Sequence, residues 1–210
     1  MIKAIFWDND GVLVDTERLY FLATQQVLAG VGFHLTREDY VELFLVQGKG
    51  AWHLVEAKGI SAGEIGRLRR ERGEVYAQLL ANDACLIPGA DEVLRSLHGK
   101  YQMGIVTSSQ KDHFDLIHRS TGLLQYIDFA ITEGDVQRTK PDPEPYLRAI
   151  ERSGFWADEC LAVEDSERGL TSAKGAGLRC YVIPTDLTRG SQFANADRVL
   201  ANIKEIPGLL

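Results

Sequence analysis

The sequence predicts an α/β protein, a parallel sheet interrupted after its first strand by a small helical module. Three observations carry this expectation. A short apolar run, IKAIFW, lies almost at the start of the chain and ends in the acidic turn Asp8-Asn9-Asp10-Gly11. From Thr16 to about Ala81 the apolar residues recur only at helical spacing. After Pro88, short apolar runs alternate with helical segments, the texture of parallel strands joined by right-handed crossovers.

Taken in order, residues 2–7 are apolar throughout and bounded by a turn, as expected of a strand buried on both faces. Thr16 followed by Glu17 offers a helix start, and Leu19, Leu22, Ala23 and Val27 then share one face. The same spacing continues through REDYVELFL, AWHLVEA and EIGRLRRERGEVYAQLLA, with Gly30, Gly32, Gly48, Gly50 and Gly59 as breaks. Beyond IPGADEVLRSL, MGIVT reads as a strand, DHFDLIHRS as a helix and FAIT as a strand. PEPYLRAIERS is then a helix, CLAVE a strand, ERGLTSAKGA a helix and CYVI a strand. The first strand can find partners only in this later half. The core is therefore expected to combine residues 1–15 with 85–210, and the helical insertion to span 16–84. Hinges are expected near Asp15–Thr16 and Ala84–Pro88.

Composition narrows the function. The chain has 210 residues, 45% of them hydrophobic and 25% charged, enough for one large domain with an inserted module. A net charge of −7 without a run of Lys or Arg argues against nucleic acid, whose phosphates are held by clustered basic residues. No apolar run reaches transmembrane length, and no signal-peptide pattern opens the chain, so a cytoplasmic address and no membrane partner are expected. Cys85, Cys160 and Cys180 are odd in number and sit beside apolar neighbours, which reads as reduced core or near-core thiols.

The informative residues are those that follow each strand, because ligands of an open parallel sheet bind beyond its carboxyl ends. The first strand ends in Asp8-Asn9-Asp10-Gly11, and MGIV ends in Thr107-Ser108-Ser109. FAIT leads to a loop reaching Lys140-Pro141, and CLAV ends in Glu164-Asp165-Ser166. Carboxylates, hydroxyls and one lysine suit a divalent cation and a phosphoryl group. Magnesium prefers oxygen ligands, and carboxylates from two strand ends would supply them. Asp8 could present one oxygen to the metal and attack phosphorus with the other. Asp10 could offer its backbone carbonyl to the metal and its side chain for proton transfer. Thr107 can donate its hydroxyl, with the Ser108 and Ser109 N–H groups close to a helix start. Lys140 brings the compact positive charge that phosphate and crowded carboxylates need.

DNDGVLVDTE, IVTSS, TKPDPEPY and VEDSERGL resemble the four ordered motifs of the haloacid dehalogenase-like hydrolase superfamily. The match extends over essentially the whole chain. It is narrowest to the helical-cap subgroup, which includes phosphoglycolate phosphatase-like and β-phosphoglucomutase-like enzymes. The resemblance implies a Rossmann-like parallel sheet with helices on both faces and an inserted α-helical cap. It also implies Mg2+ as cofactor and hydrolysis of a small phosphorylated metabolite through an aspartyl-phosphate on Asp8. In that scheme Asp10 is the general acid/base, and Thr107, Ser108 and Lys140 hold phosphate. Glu164 and Asp165 complete the metal site with Asp8 and Asp10, Asp165 directly and Glu164 directly or through water.

The chain departs from the family pattern in four places. Asn9 stands where an apolar or aromatic residue is usual, open to a local hydrogen bond or a substrate contact. Thr139 stands where glycine is common. Tyr20 occupies a position where mutases tend to carry histidine, and QGKGAW lacks a clear match to the mutase substrate loop. Both cap departures favour a phosphatase over a phosphosugar mutase, which would share the same core. A receiver-like phosphoacceptor domain also gathers acidic residues, a hydroxyl and a lysine at strand ends. Its acceptor, however, lies on a later strand and needs no insertion near residue 16. Lys49 and Trp52, beside a glycine-flanked turn, and Arg72 in the charged helix are the candidates for substrate contact. The five histidines read as surface or partly buried residues, Trp7 as packing beneath the site, and the protein as a monomer or dimer.

Overall fold

The computed structural model describes residues 1–83 and 85–210; Ala84, where the second expected hinge begins, lies outside them. The chain forms two compact units, Met1–Asp15 with Cys85–Leu210, and Thr16–Ala84.

In the first unit the strands are β1 (Ala4–Trp7), β2 (Gln102–Val106), β3 (Phe129–Ile131), β4 (Cys160–Glu164), β5 (Arg179–Val182) and β6 (Arg198–Val199). They form one sheet in the order β3-β2-β1-β4-β5-β6, and every pairing is parallel. From β1 the chain builds outward through β2 and β3, then returns to β4 on the other side. The order therefore reverses around β1 and β4, where an open α/β sheet leaves a crevice at its carboxyl end. Trp7 lies opposite both Ile105 and Val163, so the central strands end in step.

Side chains alternate across a strand, and β1 uses both faces. Ile5 and Trp7 join Met103, Ile105, Leu161 and Val163 in one cluster, and Ala4 and Phe6 join Val106, Ala162 and Val182 in another. Helices cover each face. α5 (Ala90–Leu97) and α6 (Lys111–His118) close the first cluster through Val93, Leu94 and Phe114. α7 (Glu144–Ser153) and α8 (Glu167–Gly175) close the second through Tyr146, Ala149, Leu170 and Ala173. Burial on both faces is why these strands read as continuous apolar runs. β6 has only two residues, too short for a periodic signal, and the sequence reading missed it.

The helical unit, taken by itself, contains α1 (Glu17–Ala29), α2 (Arg37–Tyr40), α3 (Trp52–Ala57) and α4 (Ala62–Asp83). Thr36 caps α2 with a reciprocal bond to Asp39, and α2 continues into a π-helical turn over Val41–Val46. Leu19, Ala23 and Val27 of α1 and Leu68, Tyr76 and Leu80 of α4 are buried, and Tyr40 stacks on Phe44 with ring centres 4.7 Å apart. No strand occurs in this unit among the described residues.

All three cysteines are free. Cys160 and Cys180 are buried, but Cys85 is exposed, which corrects its expected place in or near the core. No described helix is long and apolar enough to cross a membrane.

Gly104, in the middle of β2, leaves no room for a side chain. A Cβ there would lie 2.5 Å from the Phe129 ring on the neighbouring strand. Overpacking of this kind costs about 1–3 kcal/mol. Gly104→Ala should therefore lower the unfolding free energy by that amount, read as a lower urea midpoint with an unchanged slope; an unaltered midpoint would show that β2 and β3 have slack.

Candidate active site

The end of β1 delivers Asp8, whose N–H donates to the Val163 carbonyl of β4. The ammonium of Lys140 reaches Asp8 Oδ1 at 2.7 Å, Glu164 Oε1 at 2.6 Å and the Val106 carbonyl at 2.7 Å. One cation thus joins the ends of β1, β2 and β4. Tyr146 of α7 donates its hydroxyl to the same Glu164 oxygen at 2.5 Å. Asp8, Tyr146, Lys140 and Glu164 are all buried.

Burial raises the Asp8 carboxyl well above the ordinary carboxylate range. Lys140 opposes that shift, while the charges of Glu164 and Asp10 add to it. Burial also works against the charge of Lys140, but Asp8 and Glu164 outweigh it and raise its pKa. Desolvation, followed by the charge of Glu164, pushes the Tyr146 phenol upward, so it stays a donor at neutral pH.

Asp165 follows Glu164, and its backbone N–H donates to Glu164 Oε2 at 3.3 Å. Asp8, Glu164 and Asp165 each place a carboxylate oxygen within 4.8 Å of the others. The close approach requires glycine at two places. Gly11 has φ +88°, and a Cβ there would stand 2.3 Å from Asp165 Oδ2; one on Gly169 would stand 1.8 Å from Glu164 Oε2.

Three buried carboxylates facing one ammonium leave an excess of negative charge, and the donors are hard oxygens. This set fits a divalent cation of the magnesium kind. Lys140 engages both Asp8 and Glu164, and Glu164 also accepts from Tyr146 and the Asp165 N–H.

Asp10 lies outside that group of three. Its Oδ2 accepts from Thr107 Oγ1 at 3.0 Å, Ser109 Oγ at 2.8 Å and Asn9 Nδ2 at 3.4 Å. The Ser109 N–H, expected to face a ligand near a helix start, instead donates to Thr107 Oγ1 at 3.0 Å, and α6 begins only at Lys111. Ser108 keeps a buried hydroxyl with no hydrogen-bond partner among the described residues. At Ser109 the sequence points to the backbone N–H, whereas it is the hydroxyl that reaches Asp10. Tyr146 was passed over because it reads as one apolar position of an amphipathic helix.

His118 corrects a sequence expectation. It is 6% exposed, more deeply buried than the surface or partly buried place expected, and its Nε2 lies 2.8 Å from Asn9 Oδ1. Asn9, 0% exposed, thus makes a buried hydrogen bond. Trp7 is fully buried directly before Asp8.

In the helical unit, Lys49 and Trp52 line a cleft of about 540 Å³ together with His53, Glu56 and Arg69. Arg72 is not part of that lining; its guanidinium lies over the rings of Tyr20 at 4.6 Å and Trp52 at 5.7 Å. Tyr20 also meets Tyr76 edge-on at 5.1 Å.

Burial lowers the His118 pKa from 6.5 to about 4, although the charges of Asp10 and Asp115 act the other way. Below pH 6.5 the unfolded chain takes up a proton that the folded chain refuses. The contribution is therefore complete above pH 6.5 and is lost as the pH falls towards about 4. The loss is on the order of 2–3 kcal/mol. In urea titrations across this range His118→Gln should show a flatter dependence than the parent; parallel curves would contradict a neutral, buried imidazole.

The chain matches the family model described as "Haloacid dehalogenase-like hydrolase" over residues 5–183. It is 34% identical to "Protein CbbY" of Cereibacter sphaeroides, with 100% of this chain and 96% of that protein covered. It is 31% identical to the "Phosphorylated carbohydrates phosphatase" of Thermotoga maritima, covering 100% and 98% of the two chains. A crystal structure of CbbY from Rhodobacter sphaeroides in complex with phosphate superposes with a TM-score of 0.83 at 29% identity, covering 98% of this chain and 96% of that one. With four motifs on one sheet, a family match over most of its length and full-length relatives, this chain belongs to the haloacid dehalogenase-like hydrolase family.

Proposed function

We propose that the protein is a magnesium-dependent phosphatase acting on a small phosphorylated carbohydrate or similar metabolite. The observation that carries this reading is Lys140 bonded to Asp8 beside the Asp8–Glu164–Asp165 cluster, at the point where the strand order reverses. Relatives named "Phosphorylated carbohydrates phosphatase" and "Fructose-1-phosphate phosphatase YqaB" support the substrate class.

Asp8 and Asp165 would hold the cation, with the Asp10 carbonyl as a third donor and Glu164 acting through water. When bound, magnesium supplies positive charge against the phosphoryl oxygens. The protein groups perform the remaining work. Asp8 attacks phosphorus, forming an acyl phosphate while the bond from phosphorus to the substrate oxygen breaks. Asp10 protonates the departing oxygen, then takes a proton from the water that attacks phosphorus and frees Asp8. Lys140 balances negative charge on Asp8 and on the phosphoryl group; Ser108 offers its hydroxyl to that group, and Thr107 does so by exchanging its bond to Asp10 for one to phosphate. Lys49 and Trp52 select the substrate, consistent with their place in the cationic and aromatic lining of the helical unit's cleft, and Arg72, outside that lining, joins them through its contact with the Trp52 ring.

The phosphosugar mutase reading would use the same core. Tyr20, packed among aromatic rings, brings no imidazole where mutases tend to carry one, which favours hydrolysis. An acceptor on the first strand favours a hydrolase over a receiver-like phosphoacceptor.

Phosphate release from para-nitrophenyl phosphate and a panel of phosphorylated carbohydrates, including fructose 1-phosphate, tests the proposal. Asp8→Asn should reduce turnover by at least about 10³-fold, as expected for loss of a nucleophile whose group acts as a unit. It should remain folded by circular dichroism, and parent-like turnover would remove Asp8 from its role. Excess EDTA should stop the parent and added Mg2+ restore it; undiminished turnover in EDTA would exclude the metal.

A further inference from the structure

Asn9 lies between two residues whose roles differ sharply. On one side is Asp10, the proposed acid/base; on the other is His118 at the end of α6, more than 100 positions away in the chain. The His118 ring spans the gap between Asn9 and Thr121. Nε2 lies 2.8 Å from Asn9 Oδ1, and Nδ1 lies 2.9 Å from Thr121 Oγ1. A neutral imidazole carries one N–H and one lone pair. With Nε2 donating to the Asn9 carbonyl oxygen, Nδ1 is the acceptor and takes the Thr121 hydroxyl proton.

The Asp10 carboxylate fixes the Asn9 amide, and the amide in turn fixes the imidazole tautomer. Were the amide turned end for end, its carbonyl oxygen would face Asp10 Oδ2, acceptor against acceptor. Held as it is, Nδ2 faces Asp10 Oδ2 at 3.4 Å. Thr107 and Ser109 approach the same oxygen, so donors from two different strand ends meet on it.

We propose that Asn9 and His118 form a positioning relay that sets the Asp10 carboxyl in its proton-transfer orientation, deepening the phosphatase reading on which it rests. Neither residue touches the substrate; each acts through the next. Burial keeps the imidazole neutral, as the relay requires. An apolar residue at position 9 would retain the packing volume while cutting the tie, with the Thr107 and Ser109 bonds to Asp10 left in place.

The test compares kcat/KM for two substrates. para-Nitrophenolate departs without a proton, whereas the alkoxide of fructose 1-phosphate needs one, so only the second reaction depends on Asp10 in its first step. A well-placed acid contributes roughly 10²–10⁴-fold, and partial misplacement should cost about tenfold of that. Asn9→Leu and His118→Phe should each lower kcat/KM for fructose 1-phosphate about tenfold while changing that for para-nitrophenyl phosphate less than about twofold. The double variant should be no worse than either single one. His118→Gln, which keeps an N–H donor, should recover most of the loss.

Equal losses on both substrates, additive losses, or no loss at all would overturn the relay. Imidazole NMR provides a readout independent of turnover: the His118 Nε2–H should be protected from exchange in the parent and exposed in Asn9→Leu. An unprotected proton in the parent also overturns the relay. A parent that hydrolyses neither substrate but keeps the protected proton refutes the phosphatase reading and leaves the hydrogen bond standing.

Discussion

The ammonium of Lys140 lies in the interior with the Asp8 and Glu164 carboxylates and the Val106 carbonyl as its partners. An ammonium that has given up its water needs its replacement acceptors close and well aimed. Here they come from the ends of β1, β2 and β4. Removing one partner from a buried pair of this kind leaves an uncompensated charge that costs about 3–5 kcal/mol. The contact that gathers the proposed chemistry is therefore also one the sheet cannot easily lose. Tyr146 adds a donor to Glu164 from α7, tying a helix on one face of the sheet to the same cluster. The two faces of β1, anchored by Trp7 on one side and Phe6 on the other, hold Asp8 at the carboxyl end of the sheet's centre.

The cluster sits where it does because of strand order. β1 and β4 are neighbours although more than 150 residues separate them, and the reversal between them opens the crevice into which Asp8, Glu164 and Asp165 project. Glycines at 11 and 169 give up side chains so that carboxylates can approach backbone that would otherwise exclude them. These are steric concessions. They make sense when the acidic residues must converge, and the convergence in turn makes sense when a cation is to be held there.

Much of this was legible in the sequence for a physical reason. Strands buried on both faces write themselves as apolar runs, and their ends are marked by the first polar residue, so Asp8, Thr107 and Glu164 announced themselves. Lys140 was legible through its motif rather than its periodicity. What sequence could not supply was the pairing of distant polar groups. The Ser109 hydroxyl gave no signal, Tyr146 looked like core, and His118 like a surface or partly buried residue, because nothing local encodes a hydrogen bond between Asn9 and a histidine 109 positions away. The oddity of Asn9 in a tightly packed turn was the one available signal, since a buried amide requires a partner. β6 was missed because two residues carry no period, and Cys85 because apolar neighbours do not guarantee burial.

The account stands or falls on whether the phosphoryl group passes through Asp8. Rapid acid quenching during turnover of a phosphorylated carbohydrate, followed by borohydride reduction and peptide mass mapping, asks this directly. An acyl phosphate is reduced to an alcohol where a free carboxylate is not. The account predicts a substrate-dependent reduced side chain at position 8 and at no other acidic residue. Steady turnover with position 8 unmodified, or the mark on Asp10 or Asp165 instead, would contradict it.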